Sequence, residues 1–157
     1  MATVRRAAPA DAPELVRLRQ VMLDSVRPGP SDTSWQPAAE RTLRTRLAAG
    51  DGDLAAFVVD GPDGLTACVV GAIEYRLASP GNPTGTTGYV FSVATDPAHR
   101  RRGHSRGCLE ALLEWYRERG VTRVDLRASP EAEPLYASLG FVRTSDPAMR
   151  LTLSEPR

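Results

Sequence analysis

The chain has 157 residues, a formal net charge of +1 and 41% hydrophobic residues, which suits one soluble domain over residues 1–157 whose core needs no covalent staples. No apolar run approaches the ~20 residues that span a bilayer, and the first residues lack the apolar stretch of a signal peptide, so neither a membrane nor an export role is expected. Two cysteines, Cys68 and Cys108, give no disulfide framework, and with the two histidines they show no metal-ligand spacing, so a reduced, cytoplasmic, metal-free protein is expected.

Residues 3–7 read as a first strand. Asp11 stands where an N-cap belongs, and residues 14–25 place Leu15, Leu18, Val21 and Met22 on one helical face. Residues 27–34, rich in Pro, Gly and Ser, mark a loop. A second helix follows over 38–49 and stops at Gly50. Residues 54–59 and 66–77 read as strands joined by the turn 61–64, forming a hairpin. A loop rich in Gly, Pro and Thr, residues 78–87, leads to a strand over 88–95. An arginine-rich segment then opens a helix over 103–119, with Leu109, Leu112, Leu113 and Tyr116 facing inward and Gly120 as its stop. Residues 121–126 form another strand. Ser129 caps a last helix with Pro130 in its first position, and residues 141–144 and 149–153 make a final strand pair. The order β-α-α-β-β-β-α-β-α-β-β predicts a mixed α/β fold, with about seven strands in one mixed sheet and helices on both faces.

The chemistry concentrates between the strand 88–95 and the helix that follows it. There Arg100-Arg101-Arg102-Gly103-His104-Ser105-Arg106 forms a tight Arg/Gly loop. A strand, such a loop and a helix N-terminus together hold a phosphate, because unpaired backbone N–H groups and the positive end of the helix dipole converge. The loop is not a Walker A motif, which needs a Lys, and the chain has none. It is not a dinucleotide fingerprint either, since G-x-G-x-x-G is absent. Arginine runs are often solvated surface or nucleic-acid contacts. Here the net charge is near zero and the positive charge is local, which favours a phosphate pocket and no nucleic-acid partner.

Arg100-Arg101-Arg102-Gly103-His104-Ser105 resembles the acetyl-CoA loop of the GNAT N-acetyltransferases, Arg/Gln-x-x-Gly-x-Gly/Ala, with Ser105 in place of the last small residue. Downstream, Leu135-Tyr136-Ala137-Ser138-Leu139-Gly140-Phe141 resembles the family's Leu-Tyr-x-x-Leu-Gly-Phe signature. The resemblance is good over residues 86–143 and extends to the N-terminal half only in the order of elements.

It implies a splayed cofactor cleft between the strands 88–95 and 122–127, with acetyl-CoA as acetyl donor. By the same resemblance the backbone of Val93 and Thr95, with Ala94 between them, would bind the pantetheine arm. Backbone N–H groups from Arg101 to Arg106, including Gly103, His104 and Ser105, would hold the pyrophosphate, and Arg100 and Arg102 would add side-chain charge. Tyr136 would protonate the departing thiolate, a role open to a phenol of pKa ~10. Some relatives carry a basic Glu where this chain has Tyr89, so Glu74 on the preceding strand is the nearest substitute. His99 and His104 fall on the phosphate side, and Cys108 reads as core. The implied activity is transfer of acetyl to a primary amine, of a small molecule or a peptide N-terminus, by direct attack in a ternary complex. Backbone N–H groups near Val93–Thr95 would steady the oxyanion. Homodimers are common in such folds.

Two other readings stand beside it. One is an acyl-CoA-binding module with weak catalysis, suggested by the missing Glu at Tyr89. The other is a nucleic-acid-binding domain using Arg100–Arg106, whose affinity would fall steeply with salt. The acceptor stays open: residues 18–47 and 78–87 hold Trp35, Asp24, Asp32 and Glu40, which suit a cationic amine, and several arginines, which suit a carboxylate.

Overall fold

The computed structural model describes residues 3–154. The chain divides into two compact units, Met1–Arg127 and Ala128–Arg157. The first carries strands β1 (Val4–Arg6), β2 (Leu54–Gly61), β3 (Gly64–Tyr75), β4 (Thr86–Thr95) and β5 (Val124–Leu126), with helices α1 (Ala12–Val26), α2 (Gln36–Ala48) and α3 (His104–Glu118). The strands lie in the order β1-β2-β3-β4-β5. All neighbours are antiparallel except β4 and β5, which are parallel and joined through α3.

The centre of the sheet is β3, whose residues 65–73 are buried throughout. An unbroken apolar run is what a strand covered on both faces requires. Against one face, Leu15 and Leu18 of α1 and Leu47 of α2 pack with Leu54, Ala56, Val58, Cys68, Val70 and Ala94. On the other lies α3, which buries Leu109, Leu112 and Tyr116.

The seat of α3 is built from glycine. A methyl group at Gly88 would come within 2.7 Å of the Tyr116 ring, and one at Gly71 would strike the Tyr116 hydroxyl and Leu112. That hydroxyl lies 3.1 Å from the carbonyl oxygens of both Ala72 and Tyr89, so one donor is shared between β3 and β4. Burial raises the pKa of the phenol, which keeps its proton. Both cysteines are buried in the same unit, and burial pushes each thiol up to about 12. They are core residues, as Cys108 was expected to be.

Asp11 does not cap α1 with its side chain. Its carboxylate instead accepts the Ala8 N–H at 2.7 Å and two guanidinium bonds from Arg5 at 2.8 and 2.9 Å, because a short 3₁₀ turn, Pro9–Asp11, intervenes.

In the second unit α4 spans Glu133–Ser138. It starts later than Pro130: Ser129 accepts the Ala132 N–H through both its carbonyl, at 3.1 Å, and its Oγ, at 3.3 Å, and Pro134 occupies the first helical turn. The expected strands at 141–144 and 149–153 are absent among the described residues, so the sheet has five strands rather than seven. Val142, Met149, Leu151 and Leu153 are exposed. Alternating apolar residues define a strand only where a neighbouring edge pairs the backbone. Among the described residues no helix is long and apolar enough to cross a membrane.

Gly88→Ala should therefore cost about 1–3 kcal/mol of stability through overpacking against Tyr116. Gly50→Ala, whose added methyl meets nothing within 4 Å, is the control. Urea denaturation of both variants measures the difference.

Candidate active site

Pairing between β3 and β4 slips by one residue: Val70 faces Ser92 while Gly71 faces Val90. Phe91 is the extra residue, a β-bulge that bends the strand and leaves its side chain exposed. β5 pairs with β4 only at Gly88, Tyr89 and Val90. Past the bulge β4 runs on to Thr95 with no strand paired on that side among the described residues.

The direction of the free backbone follows from one bond. Asp96 donates its N–H to the Thr66 carbonyl of β3 at 2.7 Å. Backbone groups alternate along a strand, so Ala94 and Ser92 also face β3, while Val93 and Thr95 face the opening. Of the three residues expected to bind an extended arm, Val93 and Thr95 thus present N–H and C=O groups to it. Ala94 serves only as spacer, its side chain buried in the core under α1.

At the end of β4 the loop is held firmly. Asp96 accepts the Ala98 N–H at 3.0 Å and Arg17 Nη1 at 3.0 Å. Arg17 also binds Glu14 and the Leu65 carbonyl, which ties α1 to the loop and to β3. Arg101 has φ 65° and Gly103 φ 77°. Two left-handed residues so close turn successive amides toward one side, and the strain at Arg101 is of the kind found at binding loops. Among the described residues the N–H groups of Gly103, His104 and Ser105 have no backbone acceptor; the first bond into α3 is Gly107 N–H to the Gly103 carbonyl, 3.0 Å. The Ser105 and Thr95 hydroxyls are hydrogen-bonded to each other. The departure from the small residue of the motif therefore pins the helix N-terminus to the open edge of β4.

The charges divide. Arg100 and Arg101 are exposed and in no ion pair among the described residues. Arg106 pairs with Glu110 at 3.0 Å. Arg102, expected to add charge to the phosphate, turns instead toward His99, with Nη1 3.4 Å from Nδ1. The His104 ring turns away from the loop as well, its Nδ1 2.9 Å from Thr66 Oγ1, and stacks on His99 at 6.2 Å. Burial, with His99 and Arg102 nearby, lowers its pKa from the ordinary histidine value. With Arg5, Asp60, Thr66 and Arg102, the two histidines line a cavity of about 620 Å³ beside β2 and β3.

Glu74 pairs with Thr87, two residues from Tyr89 along β4, and its Oε2 accepts both Arg76 Nε and Nη2, at 2.9 and 2.7 Å. In the second unit Tyr136 is 6% exposed and meets Phe141 edge-on at 5.9 Å. Burial raises its pKa above 10. Unlike Tyr116, its hydroxyl has no protein partner among the described residues.

Comparison with known proteins fits this arrangement. The model of the acetyltransferase (GNAT) family matches residues 19–141. The chain belongs to that family. It is 30% identical over 146 residues to glucosamine 6-phosphate N-acetyltransferase 1 of Oryza sativa subsp. japonica, covering 87% of this chain and 81% of that protein. It is 42% identical over 55 residues to the ribosomal protein bS18-alanine N-acetyltransferase of Escherichia coli (strain K12), 33% of this chain and 37% of that one. Among solved structures it resembles a predicted acetyltransferase with acetyl-CoA from Clostridium acetobutylicum, with TM-score 0.81 and 25% identity over 97% of this chain and 96% of that one. A GCN5-related N-acetyltransferase from Ralstonia eutropha JMP134 shares the fold, with TM-score 0.83 and 23% identity over 96% and 99% of the two chains.

Three features escaped the sequence: the bulge at Phe91, the left-handed Arg101 and the Thr95–Ser105 bond. None has a sequence signal of its own. At Gly103 a methyl group would meet nothing within 4 Å, so Gly103→Ala should cost about 1–2 kcal/mol from the left-handed backbone alone. Gly103→Asn should cost less, since Asn tolerates that region. Equilibrium unfolding of the two variants tests the order.

Proposed function

We propose that this GNAT protein is an N-acetyltransferase that uses acetyl-CoA and transfers the acetyl group to a primary amine by direct attack in a ternary complex. One observation carries the reading. The unpaired edge of β4 at Val93 and Thr95 runs directly into the free amides of Gly103, His104 and Ser105, and the Thr95–Ser105 bond joins them. A long ligand with a diphosphate at one end and amides along its length suits such an edge, and Gly103 leaves room for close approach.

Acetyl-CoA, when bound, supplies an acyl carbon activated as a thioester. The amides of Gly103, His104 and Ser105 hold the diphosphate, and Arg100 and Arg101 add full charge. Val93 and Thr95 pair with the pantetheine amides and so orient the arm along β4, its acyl end toward the bulge at Phe91. Tyr136 gives a proton to the departing sulfur. Its raised pKa keeps it protonated at neutral pH, and its unpartnered hydroxyl leaves that proton available. Glu74, paired with Arg76, takes a proton from the amine, directly or through water. The relatives' names point to acceptors as different as glucosamine 6-phosphate and an alanine of ribosomal protein bS18, so the acceptor panel must hold both kinds.

Acetyl-CoA should raise the melting temperature by binding the native state, and adenosine should not. Stabilisation by duplex DNA at low salt with none by acetyl-CoA would overturn the reading. With the acceptor in hand, Tyr136→Phe should keep acetyl-CoA affinity and lose turnover by roughly 10²–10⁴-fold. Calorimetry and thiol-release kinetics separate the two effects. Lost affinity with unchanged turnover would make Tyr136 a binding residue.

A further inference from the structure

Ion pairs hold eight of the chain's 20 arginines among the described residues. Arg5, Arg17, Arg44, Arg76, Arg106, Arg117, Arg119 and Arg143 each pair with a carboxylate. Arg19 does not. It lies on α1 next to the fully buried Leu18, and its guanidinium makes a single long bond, 3.4 Å from Nη1 to the Phe91 carbonyl. Arg5, Arg17 and Arg143 have their pKa raised by carboxylates, whereas burial lowers that of Arg19. Among the described residues Arg19 is a half-buried cation with four unused N–H donors and no ion-pair partner.

Its position gives this meaning. Phe91 is the bulge residue, where β5 leaves β4 and the opening begins. The next residue, Ser92, is 3% exposed, and its Oγ has no hydrogen-bond partner. Ser92 pairs with Val70, which belongs to the core cluster beneath α1 with Leu15 and Leu18, so both unsatisfied groups lie on the α1 side of β4. Native proteins seldom leave such groups unpaired without a ligand to meet them. Both carboxylates of α1 are already engaged: Glu14 accepts from Arg17, and Asp24 accepts from Gln20 and Ser31.

From this placement we infer that the amine acceptor carries an anionic group, a phosphate or a carboxylate, and that Arg19 recognises it at the Phe91 bulge. The inference rests on the proposed function, which brings the acyl end of the donor to the same bulge. A phosphate or carboxylate offers several lone pairs to a guanidinium fork and a hydroxyl at once. A neutral sugar amine offers no charge, and a polycationic amine would be repelled by Arg19 and Arg27.

The test uses acceptor pairs that differ in the anion alone: glucosamine 6-phosphate against glucosamine, and a set of free amino acids against their amides. Thiol release is followed at saturating acetyl-CoA. At least one anionic member should exceed its neutral partner by about tenfold or more in kcat/KM. Arg19→Gln should abolish that preference through KM, and Arg19→Lys should restore part of it. Inorganic phosphate should inhibit competitively against the amine at saturating acetyl-CoA, a measurement on the native chain that needs no folded variant. Equal use of both members of every pair, or no inhibition by phosphate, overturns the inference and leaves the acetyltransferase reading intact. A preference that survives in folded Arg19→Gln removes Arg19 from the role. Failure of acetyl-CoA both to stabilise the chain and to release thiol with any acceptor overturns both together.

Discussion

One hydroxyl holds the working parts of the first unit in register. Tyr116 reaches from α3 across two glycines to the carbonyls of Ala72 and Tyr89. It thereby fixes α3 to β3 and β4 at the point where β5 is still paired and just before the bulge. The Arg/Gly loop leads into the N-terminal end of the same helix, and the open edge is the continuation of the same strand. A buried hydroxyl left without these carbonyls, or a side chain in place of either glycine, would disturb both at once. The geometry of the site is thus set by packing about three helical turns away from it.

The opening itself is a matter of unequal strand length. β4 has ten residues and β5 three. A strand that outlasts its neighbour exposes backbone donors and acceptors that must find partners elsewhere. Here the bulge at Phe91 turns β4 at the place where β5 ends, so that Val93 and Thr95 face outward together. The chain then passes through Asp96, anchored by Arg17, into the left-handed turn that frees the amides at the head of α3. Edge and helix end thus present two sets of unpaired backbone groups among the described residues, linked by two side-chain hydroxyls.

Much of this was legible in the sequence. The helix period of α3, the apolar run of β3 and the hairpin of β2 and β3 each have a local cause, and each formed within a few residues of expectation. The Gly103 loop was legible because glycine there answers a backbone need. The limits were equally physical. The C-terminal apolar alternation gave no strands, since a strand needs a partner edge that no local pattern encodes. The aim of Arg102 and His104 depends on Thr66 and His99, and so on tertiary placement. That Arg19 has no ion pair among the described residues depends on tertiary placement, which spacing along the chain does not reveal.

The central claim is that the row from Val93 to Ser105 binds the donor, and amide exchange measured by NMR with and without acetyl-CoA tests it most directly. The amides of Val93, Thr95, Gly103, His104 and Ser105 should exchange selectively more slowly in the complex, while that of Ala94, already bonded to β3, should change little. Protection confined to other segments, with these five amides unaffected at saturating acetyl-CoA, would contradict the account.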